Sequence, residues 1–127
     1  MKWFLLAVFV LSASSIAEQK DRLDGNYLLD ACQAAVAADD RDFAWKNANE
    51  AYQAGYCFGV VEGVAKTAAD RCYPDGVTYL QAQRIVVKYL QDHPAELHHW
   101  DTSLIQVALY DAFPCPPNKR HHAGAPQ

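Results

Sequence analysis

Four cysteines, Cys32, Cys57, Cys72 and Cys115, and five histidines are the side chains in this 127-residue chain best suited to nucleophilic, redox or metal chemistry. As thiolates the cysteines would attack a carbonyl or hold zinc, but zinc sites ask for C-x-x-C pairs or for histidines at ligand spacing, and neither pattern surrounds these positions. His93, His98 and His99 share one short loop and His121 lies beside His122. Adjacent histidines cannot share a helix face, and no H-E-x-x-H motif is present. Serine catalysis has only Ser103 to draw on beyond the first 17 residues, at a helix start and outside any G-x-S-x-G elbow. Glu62 interrupts an apolar run and would serve as a general acid, yet Glu62, Lys66 and Asp70 are spaced by four with the acid N-terminal to the base, the pattern of a solvated helix face. The sequence therefore predicts no catalytic, cofactor-binding or metal site and assigns the four cysteines to two disulfides.

Disulfides need an oxidising compartment, and the start of the chain reads as a ticket to one. Lys2 precedes an apolar stretch at residues 3–11 that is too short to span a bilayer, and Ser15 and Ala17 supply the small residues of a cleavage site. Residues 1–17 are expected to be a signal peptide cut after Ala17, residues 18–117 a single helical domain, and residues 118–127 a flexible tail. No later apolar run reaches the length of a membrane span. The net charge of −4, without a basic cluster, is a poor match to nucleic acid. The expected location is the periplasm, with no membrane attachment after cleavage.

Helices must position the cysteines. Asn26 is expected to cap a first helix carrying Leu28, Leu29, Cys32, Ala35 and Val36 on one side, stopped by the run Asp39, Asp40, Arg41, Asp42. Residues 43–49 are ambiguous. A longer helix over about residues 51–71 places Cys57, Val60, Val61, Val64, Ala65, Ala68 and Cys72 within one arc. Tyr73-Pro74-Asp75-Gly76 has turn chemistry, and Thr78 with Gln81 forms a capping box for a third helix that buries Ala82, Ile85, Val86, Tyr89 and Leu90 and stops at Pro94. A short turn follows, and Asp101 or Thr102 is expected to cap a last helix over residues 103–112. No run alternates with period two long enough for a sheet. The fold class is all-α: a small bundle of four to five helices stapled by two disulfides.

Geometry ranks the pairings. Cys57 and Cys72 on one helix would stand about 22 Å apart at 1.5 Å per residue, far beyond the roughly 4.4–6.8 Å a bridge allows between Cα atoms. An antiparallel hairpin of the first two helices brings Cys32 level with Cys57, and antiparallel packing of the last two returns Cys115 to the level of Cys72. Gly59 and Gly63, inside the second helix and opposite its cysteine-bearing face, each cost about 1 kcal/mol relative to alanine. They are expected to permit close packing by another helix of the chain or contact with a second subunit.

The segments YLLDAC at 27–32, CFGVVEGV at 57–64, CYPDGVTYLQ at 72–81, VVKYLQDHP at 86–94 and ALYDAFPCP at 108–116, taken in order, resemble the Tai-type immunity proteins that accompany type VI secretion amidase effectors. The resemblance covers most of the chain after the leader. It implies a small all-helical periplasmic protein, often a homodimer, that binds a secreted peptidoglycan amidase and blocks its active-site cleft without being an enzyme or needing a cofactor. Two disulfides suit such a binder, because a preorganised surface loses less entropy on association. Protruding turns are natural cleft-filling parts, so the partner-binding residues expected from this chain are Tyr73, Asp75 and Tyr79 in one turn and His98, His99, Trp100 and Asp101 in another. The alternative function is an acid-stress periplasmic chaperone resembling the HdeA family. That family carries one disulfide, and the second cysteine pair here would resist the opening its mechanism requires.

Overall fold

The computed structural model describes residues 23–67 and 72–117. The expected signal peptide and flexible tail, together with His121 and His122, lie outside the described residues, as do Ala68 and Asp70. Four α-helices follow in order, α1 Gly25–Asp39, α2 Ala48–Thr67, α3 Tyr79–Asp92 and α4 Asp101–Ala112, with a 3-10 turn at Pro94–Glu96. No strand occurs among the described residues, where the one β-type contact is an isolated antiparallel bridge between Asp24 and Trp100. No helix among the described residues is long and apolar enough to cross a membrane.

The core forms where the helical periodicity places it. Leu28, Ala31, Cys32 and Ala35 of α1 meet Ala54, Cys57, Val61 and Ala65 of α2, Ala82, Val86 and Leu90 of α3, and Leu104, Ile105, Ala108 and Leu109 of α4. Cys32 is bonded to Cys57 and Cys72 to Cys115, each with Cα atoms 5.0 Å apart. The first bridge lies wholly inside the core and ties α1 to α2. The second ties the segment after α2 to the segment after α4.

The helix starts required correction in three places. Asp24, not Asn26, caps α1: its carboxylate accepts from the backbone N–H of Tyr27 at 3.0 Å, while the Asn26 amide donates to Asp24 Oδ2 and to the carbonyl of Leu97. Asn47 starts α2 three residues earlier than expected, with its side-chain oxygen accepting from Glu50 N at 2.9 Å. Asp101 and Thr102 both belong to α4, which begins after Trp100 without a side-chain cap bond. Thr78 caps α3 as its motif implies, accepting from Gln81 N at 3.2 Å.

Gly25 is the glycine that close packing demands. A Cβ there would stand 2.5 Å from Leu104 Cδ1 and 2.9 Å from the Cα of Leu97. Gly59 and Gly63 are not: both are exposed, and among the described residues nothing lies within 4 Å of a Cβ built on either. Among the described residues no other helix packs against either glycine.

Candidate functional site

Most of the expected contact residues lie at the two ends of α3. Tyr79 opens the helix, 53% exposed, with its ring edge-on to Phe58 at 5.0 Å between centroids. Asp75 is exposed in the preceding turn, which passes through Gly76 at φ +88°. Tyr73 is half-buried, packs edge-on against Phe113 and lies against the hydrophobic core. At the far end the 3-10 turn leads to His98, His99 and Trp100, all exposed. The 14 residues of α3 separate the two clusters by about 20 Å, so they do not form one site.

Asp101 leaves that surface altogether. It is 4% exposed, accepts from the Tyr56 hydroxyl, and takes a second bond at 2.6 Å from the backbone N–H of Thr102. Burial, with the adjacent Asp101 carboxylate second, holds the Tyr56 phenol well above its ordinary range. The aspartate is an internal anchor joining α4 to α2, because a buried carboxylate needs donors and the fold supplies them.

The histidines are also engaged within their own loop. His93 stacks on Tyr89 at 4.2 Å and its Nδ1 donates to the Tyr89 carbonyl at 2.8 Å. His98 Nδ1 donates to the carbonyl of Ala95, and His99 Nε2 lies 3.1 Å from Glu96 Oε2. No group of three or more His, Cys, Asp or Glu side chains among the described residues is arranged to hold a metal ion. Glu62 is ion-paired with Lys66, as the spacing of four implies.

One exposed feature went unread in the sequence, the corner between α1 and α2. Residues 42–49 are eight consecutive exposed positions, the longest such run among the described residues. The corner nevertheless has a defined shape. Phe43 N donates to Ala38 O at 2.8 Å and Asp42 N to Asp39 O at 3.1 Å, the bond pair of a Schellman stop. Arg41 reaches Glu50 at 2.7 Å and the carbonyl of Ala44 at 3.3 Å, and Lys46 N donates to the other oxygen of Glu50 at 2.6 Å. That backbone donor first, and then Arg41, hold the Glu50 carboxyl below its ordinary value. Asp42 and Phe43 both sit in the left-handed region, at φ 51° and 61°, where a side chain costs about 1–2 kcal/mol per residue. Phe43 is 62% exposed and Trp45 46%, with ring centroids 6.4 Å apart. The legible signal was Asn47 followed three residues later by Glu50, a helix-start pattern within the ambiguous segment.

A disulfide-stapled helical bundle with aromatic side chains displayed at its turns, and with its buried carboxylate and loop histidines engaged internally, has the features of a small binding protein. Its family is more particular than that: residues 24–115 match the model of the Rap1a immunity proteins, and the chain belongs to that family. No curated protein and no solved structure matches it. The expectation drawn from resemblance thus holds at the level of an immunity protein family, matched over the segment both disulfides enclose.

Proposed function

We propose that this protein is a periplasmic immunity protein that binds a type VI secretion peptidoglycan amidase and occludes its active-site cleft. The observation that carries the reading is the family match across residues 24–115, the same segment that folds as the two-disulfide bundle. The action is stoichiometric binding rather than catalysis. Export by the leader at residues 1–17, with cleavage after Ala17, delivers the chain to the compartment where its bridges form and where an incoming amidase reaches the cell wall. The active form is a homodimer, and Asp75, Tyr79, His98, His99 and Trp100 remain exposed for contact with the enzyme or with the second subunit.

The test mixes the purified protein with the secreted amidase encoded beside its gene and measures peptidoglycan cleavage together with complex mass. The expected outcome is a stable complex and cleavage suppressed at equimolar ratio. Undiminished cleavage with no complex would overturn the assignment, and a complex mass containing one copy of this chain would remove the dimer.

A further inference from the structure

We infer that the α1–α2 corner is the part of this protein that enters the effector, with Phe43 and Trp45 as its anchoring side chains; this rests on the effector-binding function proposed above. Two large rings stand side by side on the longest exposed run among the described residues. Aromatic residues, tryptophan above all, are the side chains that dominate protein–protein binding energy when they fill a pocket.

Backbone geometry makes the same point independently. A helix stop that turns through the left-handed region is ordinarily completed by glycine, but here Asp42 and then Phe43 occupy it. Strained positions of this kind cluster at functional sites, where the surrounding structure holds them in place. Holding is what the Glu50 bonds accomplish: one carboxylate receives Arg41 from just after α1 and Lys46 N from just before α2. The segment is thus exposed but already ordered, and ordering is a cost that association then avoids.

The occupant follows from the shape. A convex, rigid corner with two projecting rings fits a concave apolar surface, and the active-site cleft of the effector is that surface. Asp42, exposed at the base of the rings, favours a cleft with a basic rim. Arg84 pairs with Asp40 at 2.6 Å, which sets the corner beside the N-terminal half of α3, the half that begins with the exposed Tyr79.

The experiment measures affinity for the purified amidase encoded beside the gene by calorimetry, with thermal melting and sedimentation on each variant. The native protein is expected to bind, and the double variant Phe43→Ser with Trp45→Ser to bind about 100-fold more weakly or worse. Phe43→Gly separates function from folding: it relieves the left-handed strain, so its melting temperature stays at or above the native value while affinity falls about tenfold or more. Leu23→Ser, exposed just before α1 at the opposite end of that helix from the corner, is expected to stay within about threefold of native. Native-like affinity in the double variant would overturn the corner assignment and leave the occlusion function standing. Loss of self-association with effector affinity intact would give the corner to a second copy of the chain and overturn it equally. A native protein that neither binds nor inhibits the amidase removes both this inference and the function it rests on.

Discussion

Glu50 shows how one carboxylate can hold two helix ends in a fixed relation. Its oxygens are divided between the Arg41 guanidinium and the Lys46 backbone N–H, while its own N–H bonds Asn47 Oδ1. Because these donors keep its folded-state pKa below 4.5, the carboxylate stabilises the native state above that pH, and the contribution disappears as pH falls through the lowered value. Glu50→Gln is therefore expected to melt a few degrees below the native protein at pH 7, with the gap closing as pH falls through that lowered value. A gap independent of pH, in melts at pH 7, 5 and 3.5, would show that shape rather than charge at this position sets the corner. Asp101 teaches a related lesson. Read along the sequence it was a helix cap or a surface contact, because Asp commonly serves both. Only the arrival of the Tyr56 hydroxyl, 45 residues away, makes an inward orientation affordable.

At the scale of elements, glycine divides into two kinds. Gly25 lets the start of α1 lie against Leu97 and Leu104, so Gly25→Ala is expected to destabilise the fold by about 1–3 kcal/mol. Gly59 and Gly63 lie in an exposed helix interior with no neighbour to a Cβ among the described residues, so Gly59→Ala is expected to stabilise the isolated chain by about 0.5–1 kcal/mol. Denaturant melts of both variants check the pair, and equal effects of the same sign would contradict the placement of α1 and α2. Helix existence and core faces were legible because α1, α2 and α3 carry apolar residues at helical spacing; the half-buried Val60, Val64, Ile85 and Tyr89 flank the arcs assigned to them. Helix starts were less so. Asp24 and Asn26 both have side chains that cap well, and the choice between them depends on Leu97, whose carbonyl takes the Asn26 amide. The strained corner was not legible at all, since neither Asp nor Phe announces a positive φ.

For the whole molecule, the two bridges divide the labour of stapling. Cys32–Cys57 closes a separation of 25 residues in the middle of the core, and Cys72–Cys115 one of 43 residues at its edge. Loop-closure entropy alone assigns them about 3.5 and 4 kcal/mol. The double variant Cys32→Ala with Cys57→Ala is nevertheless expected to lose more stability than Cys72→Ala with Cys115→Ala, because both of its sulfurs are fully buried among packed side chains, while Cys72 is only partly so. Chemical denaturation of the two double variants gives the order directly. The residue pattern alone determined the all-α class and the pairing of the cysteines, because periodicity and spacing are local properties that survive without coordinates. Tertiary structure alone decided that Asp101 is an anchor, that Gly59 and Gly63 have no intramolecular partner among the described residues, and that Phe43 and Trp45 stand exposed. Those outcomes depend on which distant atoms fill the space beside each residue, and that is settled only when the four helices pack.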